Sequence, residues 1–558
     1  MILSFGSVLI GILSFIFALA LIILIHEGGH FFFARRANIL CREYAFGMGP
    51  QLVKFKKGET TYALNLFPIG GYCAIAGETE EDDPLKELKE VRLVIEDGII
   101  KKFIIDDKNH LFDDYPMYEI VKYDIFDEQD TGNLYMVVKE NEEEVEYKVD
   151  PQAMYVFTKP YNGEIDKENL EKKRNKYSKE FQIAPHNRTL NAKSKGARAL
   201  VMFGGPLMNF ILAIVVFFFA GLMNGYSDTS KTKLIVSEGT IAYVAGLRDG
   251  DTITALETPS LGKKETKEWN DISSFMSEYK KDTSTFEKIT IYYNSDNVEK
   301  TTSIYPQTVI YSISLLQDIN DQTNVRVGTL NTSSPAYVGG LRKGDIIKAI
   351  SYKDDANKMT VKTWKDVYKI FLENEKGKEM TIYALRGDEQ VEAVVDPYSR
   401  NLFKRTQNVD TAVIILGISP SVKHGFFHSI GYSFTELFNS IKKMIFTLGY
   451  LLFSSEVGIK DLSGPVGIYT MTSQAAQGGF ANLLYWIGFL SVNVGFLNLL
   501  PIPALDGGRL LFVGIEAVTK KKVSEKVETI LINITMLLLF GLIIFASYND
   551  ILRAIGVK

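Results

Sequence analysis

The sequence predicts a multi-pass α-helical membrane protein with four transmembrane helices and small α+β and β-rich modules in its loops. Three observations carry this. Met1 to Ile25 and Leu462 to Leu505 hold no charged side chain, although 23% of the 558 residues are charged. The stretch 242–256 recurs at 336–350. The first apolar run closes on His26, Glu27 and His30. A formal net charge of −5 leaves no basic footprint for nucleic acid. Two cysteines and 12% aromatic residues exclude a disulfide scaffold and a disordered chain.

A helix needs about 20 apolar residues to cross a bilayer. Four stretches meet this: about 8–33, 202–223, 480–500 and 530–545. Ala18-Leu19-Ala20 has the small-x-small look of a signal-peptide cleavage site, but no basic segment precedes it and the apolar run continues beyond. Arg35, Arg36 and Arg42 follow the first span, and Lys193, Lys195 and Arg198 precede the second. Lys520, Lys521, Lys522 and Lys526 separate the third from the fourth. Positive residues favour the cytosol, so the N-terminus is expected outside, with 34–198 and 506–528 cytosolic and 224–478 extracytoplasmic.

Along the chain the expected units are 1–78 with the first span, an acidic β-rich cytosolic insert at 79–190, and 191–225 with the second span. Two repeats follow at 226–315 and 316–405, then an amphipathic helix and loop at 420–478, then 479–558 with the last two spans. In the insert, residues 78–150 carry 24 Asp and Glu against 9 Lys and Arg. Val91–Ile95, Leu134–Val138 and Val145–Val149 nevertheless read as strands. Residues 164–180, rich in Lys and Glu, read as an exposed helix or linker. Between the repeats, ten of fifteen positions are identical at an offset of 94. Gly-Leu-Arg-x-Gly-Asp followed by alternating apolar residues resembles the PDZ domain of bacterial proteases, which takes up extended peptides by strand addition. At Phe427, Ile430, Phe434, Leu437, Ile441, Met444, Leu448 and Leu451 the three- and four-residue steps mark one helix face, with Glu436, Lys442 and Lys443 off it. That pattern predicts a helix lying in the membrane interface.

His26-Glu27-Gly28-Gly29-His30 is an H-E-x-x-H sequence. On a helix, residues i and i+4 share a face, so both imidazoles reach one ion, with the glutamate beside its water. Ionisable residues at the end of a span are costly unless functional. A catalytic zinc takes three protein ligands and leaves one position open. Asp506 ends the long uncharged run, after Pro501 and Pro503 and before Gly507-Gly508, and the charge pattern puts it at the same face as 26–30. The glycines are expected to free the backbone around this carboxylate. His424 and His428 also stand four apart but lack the glutamate; they read as surface or headgroup contacts. Cys41 and Cys73 fall on the cytosolic side, where thiols stay reduced.

With these residues in view, the chain resembles the site-2 protease family of intramembrane zinc metalloproteases (peptidase M50-like), of the regulator of sigma-E protease type. That family pairs H-E-x-x-H on its first span with N-x-x-P-x-P-x-L-D-G on its third, here 26–30 and 498–507. Phe46-Gly-Met-Gly-Pro50, Pro68-Ile-Gly-Gly-Tyr72, Gly205-Pro-Leu-Met-Asn209 and Ser463-Gly-Pro-Val-Gly-Ile468 match further. The resemblance covers 1–78, 190–250 and most of 320–558; the insert is longer than the family pattern.

The resemblance implies Zn²⁺ on His26, His30 and Asp506, Glu27 as general base, and Asn498 near the metal as a hydrogen-bond donor to substrate. It implies a membrane-associated β-hairpin around 60–71, and single-span membrane substrates such as anti-sigma factors or signal-peptide remnants. It also implies residence in a bacterial inner membrane. A transporter would show two related halves with broken helices, and no such repeat is seen among the spans. A PDZ-bearing scaffold with a structural metal would need a fourth ligand.

Overall fold

In a computed structural model, residues 5–78, 83–105, 110–127, 131–161, 169–282, 286–321, 323–331, 334–353, 355, 357–406, 409–453 and 462–554 are described. Among the described residues, four helices are long and apolar enough to cross a membrane: Val8–Arg36, Lys195–Asn224, Phe480–Asn498 and Lys526–Leu552. The chain divides into two compact units, 1–213 with 487–540 and 214–486 with 541–558.

In the first unit, the helix Phe5–Arg36 runs on past the last apolar residue and ends on Arg35 and Arg36, cations that suit a helix C-terminus. Two long strands follow, Cys41–Lys57 and Thr60–Ile75. Each folds back on itself. Residues 41–46 pair with 61–64 on one side and 71–75 on the other, while 53–57 pair with 60–64. The expected hairpin is therefore a four-stranded sheet. The two motifs at 46–50 and 68–72 are its corners, with Gly47 and Gly70 at positive φ. Met48, Leu52, Val53, Phe55, Leu66 and Phe67 are exposed around them. Tyr44 donates from its hydroxyl to the Leu24 carbonyl at 2.6 Å, tying the sheet to the first helix.

The insert is a small barrel. Its strands order as Ile99–Ile105, Glu90–Glu96, Met117–Asp124, Tyr135–Glu140 and Glu143–Thr158, and parallel pairing of the last with the first closes the circle. The charge-rich segment is not simply exposed. Leu170–Lys176 is helical, and Arg174 is buried, with its guanidinium over Tyr115 at 4.8 Å and paired with Asp114. Residues 178–182 add a further strand; 162–168 lie outside the described residues.

The second unit holds the repeats, and their shared sequence gives shared local structure. Each has a four-stranded antiparallel sheet of the same order, Gly262–Glu265, Thr252–Thr258, Ile289–Ser295, Val298–Ile304 in one and Met359–Thr360, Ile346–Tyr352, Met380–Arg386, Glu389–Val395 in the other. A helix, Trp269–Asp282 or Trp364–Glu373, leads from the short edge strand Gly262–Glu265 or Met359–Thr360 to the inner strand Ile289–Ser295 or Met380–Arg386. In both, the repeated arginine lies over the repeated tyrosine, Arg248 on Tyr243 and Arg342 on Tyr337, each at 3.9 Å.

Entry and exit of this region are zipped together. Tyr226–Ser227 pairs with Val422–Lys423, and Leu234–Ile235 with Ser419–Pro420. Lys423 Nζ lies 2.9 Å from Asp228. The helix Phe426–Phe453 then buries Ser429, Ser433 and Ser440 with Leu437 and Met444, and leaves Phe427, Ile430 and Phe434 exposed. Of the stripe, Phe427, Ile430 and Phe434 thus point outward, while Leu437 and Met444 lie with the serines on the packed face.

Ser463–Ile468 opens the helix Pro465–Gln477, whose N-cap residue Gly464 has no side chain to satisfy the first amides. Asp550 supplies the oxygen: its carboxylate accepts from Gly464 N–H at 2.8 Å and Gly467 N–H at 2.7 Å.

Candidate metal centre

The site is built from three apolar-flanked segments of the first unit. On the first helix, His26 and His30 share one face, their rings edge-on with Nε2 atoms 3.3 Å apart. The helix Phe480–Asn498 stops where Pro501 and Pro503 forbid continuation. The chain turns and restarts as Asp506–Thr519. Asp506 is thus the first residue of a helix. The two glycines after it take ordinary helical φ rather than a freed conformation. Their role is close approach: a Cβ on Gly507 would sit 2.3 Å from the Leu500 carbonyl oxygen, and one on Gly508 2.3 Å from that of Ile502.

Asp506 Oδ2 lies 3.3 Å from His26 Nε2 and 3.4 Å from His30 Nε2. With the 3.3 Å between the histidines, the three donor atoms form a nearly equilateral triangle. Bonds of about 2.0–2.1 Å to a tetrahedral zinc require ligand atoms about 3.3–3.4 Å apart. The donor set, two imidazoles and a carboxylate, fits zinc as well, and Asp506 Oδ2 is buried without a hydrogen-bond donor of its own. This is the one group of three or more metal-capable side chains among the described residues.

The second apolar helix, Lys195–Asn224, frames the pair. His30 donates from Nδ1 to the Val201 carbonyl at 2.8 Å, so its Nε2 presents a lone pair to the triangle. One turn on, Gly205 lies against the rings: a Cβ there would meet His30 Nε2 at 2.3 Å and His26 Cε1 at 2.8 Å. A further turn on, the amide of Asn209 stands 3.1 Å from His26 Nδ1. The two helices cross with Gly29 against Gly204, where either added Cβ would strike the other's backbone within 2.7 Å.

Asn498 Nδ2 lies 3.5 Å from His26 Nε2, at the edge of the triangle. Glu27 faces the β-sheet, where a Cβ on Gly71 would come 3.4 Å from its Cγ. His424 and His428 join no group of three or more metal-capable side chains among the described residues. His424 Nδ1 donates to the Leu222 carbonyl at 3.0 Å, and His428 stacks on Tyr226 with ring centroids 3.6 Å apart. Cys41 and Cys73 are both free and buried. Sequence reasoning assigned Val201 and Asn209 no part in the site. A backbone carbonyl leaves no trace in the sequence. Asn209 does: it is the one amide side chain in the run 202–223, where an unpartnered polar group is costly.

Comparison with known proteins adds the family. The chain is 28% identical to the zinc metalloprotease RasP of Bacillus licheniformis, over 97% of this chain and 99% of that one. It is 27% identical to the zinc metalloprotease RasP of Oceanobacillus iheyensis, again over 97% and 99%. The RasP of Shouchella clausii is 28% identical over 97% and 98%. Residues 14–542, which include His26, His30 and Asp506, match the family described as Peptidase family M50. The chain belongs to peptidase family M50.

Proposed function

We propose that this zinc metalloendopeptidase of the site-2 type cuts single-span membrane proteins within the bilayer, with His26, His30 and Asp506 as zinc ligands and Glu27 as general base. The observation that carries the assignment is the donor triangle of 3.3–3.4 Å edges at the end of an apolar helix. Bound zinc supplies Lewis acidity, making a water nucleophilic near neutral pH and polarising a carbonyl. Glu27 takes the proton from that water and returns it to the leaving amine. Asn498 donates from Nδ2 to the substrate backbone or to the developing oxyanion.

A helical substrate hides its carbonyls and must unwind to react. Strand 71–75 pairs with 41–46 on one side and lies next to Glu27. Its other edge offers backbone groups to an unwound segment, which strand addition would hold in extended form. The arginine and lysine clusters support an N-terminus outside, an active site near the cytosolic face of a bacterial inner membrane, and PDZ-like repeats outside the cell. Anti-sigma factors and signal-peptide remnants are the substrate types we favour. The repeats then act as a size filter against substrates with bulky extracytoplasmic domains, and strand-edge capture of peptide ends adds affinity.

The reading is tested with purified full chain, a single-span substrate in detergent, and zinc analysis. Wild type should bind one zinc and cleave, and Asp506→Ala should do neither. An Asp506→Ala protein with full zinc would show that another residue is the third ligand. Cysteine labelling in cells should reach 85–160 from the cytosol and 230–400 from outside; the reverse would overturn the orientation.

A further inference from the structure

We infer that Asn209 is a positioning residue: its fully buried amide, set against His26 Nδ1, accepts the Nδ1 proton through Oδ1 and so presents the Nε2 lone pair to zinc. This rests on the ligand assignment proposed above and goes beyond it.

A neutral imidazole carries one proton, and a ligand nitrogen cannot be the one that holds it. His30 meets this through the Val201 carbonyl at 2.8 Å. Among the described residues, His26 has no carbonyl of that kind. Its Nδ1 meets the Asn209 side chain at 3.1 Å, and Asn209 is completely buried. The two ends of the amide are nearly the same in shape, and its orientation follows from the hydrogen bonds it can make. With nitrogen toward His26, two N–H groups would face each other once Nε2 binds metal, and Oδ1 is left buried without a donor. With Oδ1 toward His26, Nδ1–H has its acceptor.

The rest of the helix supports this placement. Val201, Gly205 and Asn209 follow at four-residue steps, so they share one face. That face supplies one outer partner for each histidine and, between them, a residue with no side chain to crowd the donors. Ser491 of the third apolar helix donates to the Asn209 carbonyl at 2.8 Å and fixes its height. The bland reading is that Asn209 merely joins two helices. Its side chain, however, makes its hydrogen bond to His26 and to no other described residue.

The test compares zinc affinity, by chelator competition, in full-length wild type, Asn209→Leu and Asn209→Asp, each first checked for helical content and melting after metal removal. Leucine keeps the size and removes the acceptor. It should weaken zinc about 10- to 100-fold, the usual cost of losing such an outer partner, while the metal-free protein melts near wild type. Aspartate keeps an acceptor and cannot donate, so it should hold zinc within about threefold of wild type or more tightly. Unchanged affinity in Asn209→Leu overturns the inference. So does a folded Asn209→Asp that loses zinc, because that result means Asn209 donates to His26. If Asn209→Leu does not fold, Asn209→Asp decides alone. Failure of the underlying assignment looks different: wild type would bind no zinc, or Asp506→Ala would bind it fully.

Discussion

Gly205→Ala separates the site from ordinary helix energetics, because the two predict opposite signs. In an unobstructed helix, alanine is better than glycine by about 0.8–1.0 kcal/mol. At Gly205 the new methyl would stand 2.3 Å from His30 Nε2 and 2.8 Å from both His26 Cε1 and His30 Cε1. Carbon and nitrogen atoms in contact need well over 3 Å, so both rings or the helix must shift. Relief by backbone movement is blocked one residue away, where Gly204 already touches Gly29. Overpacking of this kind costs about 1–3 kcal/mol, enough to cancel the propensity gain. The atom struck is a proposed zinc donor, so metal is lost along with stability. We expect Gly205→Ala in detergent to melt below wild type and to bind well under one zinc per chain. Gly431→Ala is the control, since a Cβ at Gly431 meets nothing within 4 Å; it should melt at or above wild type with full zinc. A Gly205→Ala protein with full zinc and an unchanged melting temperature would refute the packing argument.

Other consequences follow from the same geometry. Asp550→Ala removes the acceptor for Gly464 and Gly467 N–H, and should cost about 1–3 kcal/mol in a denaturation series; hydrogen exchange should rise at the start of Pro465–Gln477. The Glu516 carboxyl is pushed up by burial, but its hydrogen bond and ion pair with Arg198 outweigh this and hold it below the ordinary value. Its stabilisation is therefore present above the unfolded carboxyl pKa of about 4.3 and fades as pH falls below it. Glu516→Gln should be less stable than wild type at pH 7, with a gap that narrows towards pH 3. Arg386→Met leaves the fully buried Asp345 carboxylate without its guanidinium partner. It should destabilise the second repeat by about 1–3 kcal/mol in thermal melts.

What the sequence shows of this architecture depends on how local the signal is. The apolar runs and the His26–His30 spacing lie within one helix and are read directly. Asp506 is 476 residues further on, and its mark in the sequence is that it ends the long uncharged run after Pro501 and Pro503, with a charge pattern that is expected to put it at the same face as 26–30. The 94-residue repeat is copied faithfully into local structure, down to Arg248 on Tyr243 and Arg342 on Tyr337. Long-range pairing has no such signal. Nothing local marks the parallel pairing of 99–105 with 148–157 that closes the barrel, or Ser419–Pro420 returning to Leu234–Ile235. Nor does Asp550, near the end of the last apolar helix, announce that it caps another. In the helix Phe426–Phe453 the three- and four-residue steps are read directly, but not which part is packed: Leu437 and Met444 are buried with Ser429, Ser433 and Ser440, while Phe427, Ile430 and Phe434 are exposed.

The central claim is that Glu27 moves the proton while His26, His30 and Asp506 hold the metal. Its most direct test is Glu27→Gln, purified as the full chain and assayed beside wild type for bound zinc and for cleavage of a single-span substrate. Gln is close in shape and cannot take the proton, so the account predicts one zinc per chain in both proteins and a loss of about 10²–10⁴ in turnover. Glu27→Gln that cleaves as fast as wild type would contradict it.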